Sequence, residues 1–253
     1  MGVDLQKASV WKRVAAWIFD LILLCVLATG VAFLLSVTTG YDEYSQKLED
    51  AYTAYETQYG TTFQISQEQY IALSEEERTV YDEAYQALIS DNDVVRIYNI
   101  VLNLSLLITT LSILLAMLIL EFVIPLFLKN GQTAGKKIFS IGLIRTDSVQ
   151  MNAMQLFVRT LLGKFTIETM IPVYIVLMLF WGTVNLFGLA VLLALILGQI
   201  ICVAASKTNS AIHDLLAGTV AVDLPSQKVF RNTQDLISYT KRIHAERASQ
   251  QDY

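Results

Sequence analysis

Residues 14–37, 97–128 and 167–205 are runs of Val, Ala, Ile, Leu, Phe and Trp in which the only charged residues are Asp20, Glu121 and Glu168. A hydrocarbon core about 30 Å thick is crossed by about 20 consecutive apolar residues in a helix rising 1.5 Å per residue, and each run reaches or exceeds that length. A soluble core does not require such uninterrupted blocks. The composition agrees: of 253 residues 54% are hydrophobic and 16% charged, and the mean hydropathy is +0.49. The chain reads as an all-α integral membrane protein whose first partner is the lipid bilayer.

The first run is too long for the 7–15 apolar residues of a cleaved signal peptide, so it reads as a retained span. The second is longer than a bilayer needs and should tilt or project at its outer end. As a single helix, residues 167–205 would extend about 58 Å, nearly twice the hydrocarbon core. Two antiparallel spans breaking near WGTVNLFG at 181–188 fit better. Four transmembrane helices are expected, with three as the alternative.

Charge sets the orientation. Between Thr38 and Asp93 there are 13 acids against Lys47 and Arg78 alone, while Lys228, Arg231, Lys241, Arg242 and Arg247 lie in the tail. Basic residues near span ends are retained inside, which places the acidic segment outside the cell and both termini in the cytoplasm. The chain then divides into residues 1–37 (N-terminus and first transmembrane helix), 38–96 (an acidic, tyrosine-rich extracytoplasmic helical hairpin) and 97–128 (the second transmembrane helix). Residues 129–166 form a cytoplasmic loop with an interfacial helix, 167–205 the third and fourth transmembrane helices, and 206–253 a cytoplasmic HDLLAGT element and polar tail.

Within the external segment, Tyr41, Tyr44, Leu48, Tyr52, Tyr55 and Tyr59 recur at helical steps, and Tyr81, Tyr85 and Leu88 form a second stripe. Ser66 with Gln69, and Ser74 with Glu77, have the spacing of capping boxes. A self-packed hairpin is the simplest product. In the cytoplasmic part, KKIFSIGLIRTD alternates weakly and could pair as a short strand with GTVAVDL at 218–224. Residues 153–165 suggest an interfacial helix with Leu156, Phe157, Thr160 and Leu161 on one side and Gln155 and Arg159 on the other.

An acid within lipid costs upward of about 2.5 kcal/mol by insertion scales, which makes each one a functional candidate. Counted inward from Arg13 and Lys129, Asp20 and Glu121 reach similar depths and could share one pocket as a proton or cation site. Pro125 has no N–H, so the carbonyl of Glu121 loses its helical partner. Glu168 precedes Pro172 in the same way, but its position also suits a helix N-terminus. Arg13 and Asp20 are seven residues apart on one helix, and both side chains lean toward its N-terminus, so they are not expected to meet. Asp20 needs a donor from another helix. Arg13 needs another acid, and Asp214, in a short helix capped by Asn209 or Ser210, is the candidate for a structural ion pair.

Arg13, Asp20 and Asp214, with RVAAWIFDLIL, EFVIPLFLKNGQTAGKKIFSIGLIR, VRTLLGK and HDLLAGTVAV, resemble the RDD family of bacterial membrane proteins, named for an Arg-Asp-Asp pattern. The acidic insertion at 38–95 departs from the family, many of whose members have a short connection there. The resemblance implies a multi-pass protein of the bacterial cell membrane and carries over Gln132, Thr133, Gly135, Lys136 and Arg159 as a cytoplasmic motif. Gly135 would permit a close turn, and Lys136 and Lys137 would meet anionic headgroups. Some members are reported as cation/proton antiporters, others as accessory proteins.

Two functions follow. The first is antiport of a monovalent cation and protons through Asp20 and Glu121, with a homodimer as one form, since Ala190, Ala194 and Gly198 give a face for close packing either within the bundle or between two copies. The second is an accessory or regulatory role, binding a membrane-protein partner through the hairpin and tail. No enzyme is expected: His213 and His244 lie in no nucleophile constellation, and no phosphate-binding loop is present. No cofactor, metal or nucleic-acid partner is expected, and Cys25 and Cys202 read as packing residues.

Overall fold

The computed structural model of the protein describes residues 4–128, 131–182 and 186–251, apart from the side chains of 167–170, 172, 187 and 251. Two compact units divide the chain: residues 1–29 with 113–253, and residues 30–112. Among the described residues, three helical stretches are long and apolar enough to cross a membrane, namely Val10–Thr39, Asn92–Phe127 and Gly188–Ala205.

The first, α1 (Val10–Thr39), has an inverted burial pattern. Its only buried residues are Ala16 and Asp20, one helical turn apart on a single face, while Trp17 is 57% and Phe33 68% exposed. In lipid this is the favourable arrangement, because apolar side chains meet acyl tails and the carboxylate turns toward protein.

The hairpin belongs to the second unit and consists of α2 (Tyr41–Tyr59), α3 (Gln67–Ala72) and α4 (Glu75–Ser90). Both capping boxes form, at Ser66 with Gln69 and Ser74 with Glu77. Phe63, in the connection, is the hub of the aromatic packing, with ring centroids 5.9 Å from Tyr52, 5.8 Å from Tyr81 and 6.3 Å from Tyr85. The tyrosine stripes therefore pack on one another. Tyr55 donates to Asp91 at 3.0 Å and Tyr70 to Asp82 at 2.9 Å, so the phenol oxygens use the acids of the same unit.

The second long helix starts at Asn92, five residues before the apolar run. It comprises α5 (Asn92–Leu118), a π-helical turn (Ile119–Val123) and α6 (Ile124–Phe127). The widened turn lies just before Pro125, where the N–H of Ile124 bonds back to the Ile119 carbonyl. The missing N–H of Pro125 accounts for a defect at this place.

In the first unit, α7 (Ala134–Ile138) leads into β1 (Ile141–Arg145), which pairs antiparallel with β2 (Thr219–Asp223), Ile141 opposite Asp223 and Arg145 opposite Thr219. The N-terminal segment lies along β2, with Ala8 N–H donating to the Ala221 carbonyl at 3.1 Å and Asp223 N–H to the Gln6 carbonyl at 2.9 Å. Both faces of the ribbon are covered. Ile141, Leu143 and Ala221 pack with Ala8 and Ala16, while Ile144, Val220 and Val222 pack with Leu5, Leu224 and Val229. Burial on both faces explains why the sequence alternates only weakly here.

Helix α8 (Ala153–Phe157) continues as a π-helical segment (Val158–Thr169) and then as α9 (Met170–Phe180). The chain turns at Trp181–Gly182, where the sequence placed a break. The α-helical part α9 has 11 residues, fewer than a bilayer needs, and the helix preceding it carries buried charge. The final elements are α10 (Leu186–Ala205), α11 (Ile212–Ala217) and α12 (Thr233–Gln251). A Cβ added to Gly198 would stand 3.9 Å from Ile212, so this part of the small-residue face of α10 looks toward α11 of the same chain. Helix α11 is capped at Ala211 without a side-chain bond, not by Asn209 or Ser210. Asn209 instead donates to the Val203 carbonyl, and the Ser210 N–H donates to Ser206. Cys25 is exposed and Cys202 half-buried.

Candidate functional site

Seven charged side chains from five elements meet inside the first unit: Arg13 and Asp20 from α1, Glu121 from the π-helical turn, Lys136 from α7, Arg159 and Lys164 from the π-helical segment, and Asp214 from α11. Four are cations and three are anions. They form two linked groups.

The first group begins at Asp20, which is 5% exposed. Thr133 Oγ1 donates to its Oδ2 at 2.5 Å, and the Gly135 N–H donates to its Oδ1 at 2.8 Å. Asp20 thus accepts at the first turn of α7, where free backbone N–H groups favour negative charge. The approach is close. A Cβ on Gly135 would collide with the Ala16 carbonyl oxygen and come 2.9 Å from Asp20 Oδ1, so no other residue fits without displacing α1. Thr133 also caps α7 by accepting from the Lys136 N–H at 3.3 Å, and buried Gln132 donates to the Ile141 carbonyl at 2.9 Å.

Lys136 leads from this clamp to Glu121. Its Nζ donates to Thr133 Oγ1 at 3.4 Å and stands 3.8 Å from Glu121 Oε2, while Lys164 pairs with Glu121 Oε1. Among the described residues, buried Oε2 has no hydrogen bond. Burial pushes the Lys136 ammonium down to about 8, against the attraction of Glu121 and with repulsion from Lys164 and Arg159 adding to the fall. The Glu121 carbonyl released by Pro125 accepts from Thr160 Oγ1 at 3.1 Å.

The second group centres on Asp214, which is 2% exposed. Arg159 Nε donates to Asp214 Oδ1 at 2.7 Å, and Arg159 Nη2 lies 3.0 Å from His213 Nε2. Thr219 adds a bond to Oδ1 at 3.2 Å. Arg13 stands at a longer 4.0 Å from Oδ2 and donates to the Asn209 carbonyl. Burial works against the Asp214 charge, but the guanidinium of Arg159 outweighs it, and the carboxyl is held well below the usual range. A Cβ on Gly163 would come 2.6 Å from His213 Cβ, which shows how tightly α11 lies on the π-helical segment.

These placements change several expectations. Arg159 is not on an outer face; it is 3% exposed and is the close partner of Asp214, with Arg13 the more distant one. Lys136 turns inward to Glu121 rather than outward to headgroups, while Lys137 is exposed. Asp20 and Glu121 do not touch; Thr133 and Lys136 stand between them. Lys129 and the Glu168 side chain lie outside the described residues.

Lys164 and Thr160 were not foreseen. Arg159 and Lys164 are five positions apart, which on an ordinary α-helix puts them about 140° from each other. On a π-helical winding, bonded from i to i+5, residues five apart fall on the same face, as residues four apart do on an α-helix. Nothing in the residue types alone announced that winding. Among the described residues no group of three or more His, Cys, Asp or Glu side chains comes together to hold a metal.

No curated protein and no solved structure matches the chain. The RDD family matches it over residues 7–218, which contain every charged residue of the cluster. The chain is therefore a membrane protein of the RDD family.

Proposed function

We propose that this protein exchanges a monovalent cation for a proton across the bacterial cell membrane, with Glu121, Lys136 and Lys164 as the exchange centre and no enzymatic step. The proposal includes four transmembrane passes, the fourth pass being supplied by α9 with its preceding π-helical turns, and both termini in the cytoplasm. One observation carries the reading: a buried carboxylate on a π-helical turn of a membrane-length helix lies between two ammonium groups, with one carboxylate oxygen lacking a hydrogen bond among the described residues. Such turns occur often at functional sites, and an acid in the bilayer is functional by default.

The exchange balances. An incoming monovalent cation takes the place of the Lys136 ammonium beside Glu121, and Lys136 keeps its lone pair and releases one proton to water. The charge of the cluster is unchanged. The depressed Lys136 value makes that release accessible close to neutral pH. Asp20, by contrast, is engaged by two donors and fits a structural role better than that of a carrier.

The test is cation-driven proton movement in proteoliposomes containing wild type, Glu121→Gln, Lys136→Met or Asp20→Asn, each checked for a monodisperse folded population. Wild type should exchange, and the first two variants should lose exchange. A folded Asp20→Asn should retain it. Equal flux in Glu121→Gln would remove the mechanism.

The second reading is the accessory protein, favoured because Asp20 and Asp214 are both satisfied by donors of the same chain. A cluster serving only to hold the fold would look similar, with the hairpin and tail left to bind a membrane-protein partner. Absence of flux in every folded form would favour it.

A further inference from the structure

We infer that a cleft at the end of α6 binds the headgroup and upper acyl chain of one anionic phospholipid. The inference is independent of the exchange mechanism, because none of its residues belongs to the ionic cluster.

The cleft has a volume of about 610 Å³, within the range of small-molecule sites. Pro125, Leu126 and Leu156 make its apolar side, and Gln150, Asn152 and Arg231 its polar side. Leu126 and Phe127 form the last turn of a membrane-length helix and are exposed, so the apolar side continues into a lipid-facing surface. The polar side therefore lies where a membrane helix ends, at headgroup depth.

The cleft is built, not incidental. Gly131 has φ of +58°, a backbone conformation that favours glycine, and it packs directly against the Met151 side chain, which forms the adjoining wall. Asn152 is fixed by a capping box with Gln155 at the start of α8. Arg231 is brought to the rim by its neighbour: Phe230 N–H donates to the Ser148 carbonyl at 2.9 Å, and Gln150 N–H to the Phe230 carbonyl at 2.8 Å. Phe230 itself is buried.

Charge complementarity selects the occupant. Arg231 is exposed, and among the described residues no carboxylate pairs with it, whereas nearby Lys228 lies 3.5 Å from the Tyr239 ring centre. A guanidinium at the rim presents paired donors suited to a phosphodiester. A free anion would leave the apolar side wet, and a neutral lipid would not use the net charge of the rim. A phospholipid with net negative charge satisfies both sides.

Full-length protein in phosphatidylcholine nanodiscs containing a trace of photoactivatable phosphatidylglycerol tests this. Crosslinking should map to residues 150–156 and fall about tenfold in Arg231→Gln, the loss expected for one charge-assisted contact. Leu156→Trp, which fills the apolar side, should reduce it similarly, and Lys241→Gln in the tail should leave it unchanged. Undiminished labelling in folded Arg231→Gln would overturn the assignment. So would equal labelling by a photoactivatable phosphatidylcholine used at the same trace level, or loss of labelling in millimolar inorganic phosphate, which would reveal a site for the free anion.

Discussion

The ionic cluster and the acidic hairpin both contain many charged residues, yet they use charge in opposite ways. In the cluster, Asp20, Glu121, Arg159 and Asp214 are almost wholly buried, and each anion has a partner from another element. In the hairpin most of the charges are exposed, as in the Lys47–Glu43 pair, and rings centred on Phe63 supply the packing. A buried charge is costly to leave unpaired, whereas an exposed pair is screened by water and contributes little. The same chemical groups therefore fix the structure in one region and mainly keep the other soluble.

The largest effect should come from breaking the buried pair. Asp214→Asn leaves Arg159 unbalanced and should cost about 3–5 kcal/mol, read as a fall in thermal stability in detergent. Replacing both, as Arg159→Met with Asp214→Leu, should recover much of that loss; a double variant no better than the single would mean that the pair has another role. Acid should act in the same direction. Because the folded Asp214 value lies below its ordinary one, its stabilisation is complete above about pH 4 and is lost as pH falls toward the folded value. Lys136 has the opposite sign: its lowered value costs stability at neutral pH, and that cost is relieved as pH rises from about 8 toward 10.5.

Phe63→Ala should remove about 2–3 kcal/mol, the lower part of the range for aromatic truncation because the ring is half-buried, and should do so without changing the proposed cation exchange. Gly135→Ala should cost about 1–3 kcal/mol by forcing α7 off α1, whereas Gly30→Ala, where nothing lies within 4 Å, should be neutral or slightly stabilising. Circular dichroism melts of the two variants make that contrast directly. The smallest effect belongs to Lys47→Ala, which should leave the melting temperature unchanged; a clear fall would mean that the hairpin depends on charge after all.

The sequence made the membrane helices, capping boxes and ribbon legible because each is a local pattern: apolar length, Ser spaced from Gln or Glu, and two short runs flanked by turns. It also identified Asp20, Glu121, Arg13 and Asp214, since charges next to or inside apolar runs stand out. It did not reveal which charge meets which. An α-helical period puts Arg159 on the side opposite Phe157 and Leu161, whereas the π-helical winding turns it inward with Lys164. Pro125 announced a freed carbonyl at Glu121, but the donor, Thr160, lies 39 residues later and no local pattern connects them.

The most direct test of the central claim is proton release on cation addition, measured in weakly buffered detergent solution near pH 7, about one unit below the Lys136 value, where the ammonium is still protonated. Wild type should release close to one proton for each monovalent cation bound, and folded Glu121→Gln should release none. No release from wild type, or equal release from Glu121→Gln, would contradict exchange at the Glu121–Lys136–Lys164 centre.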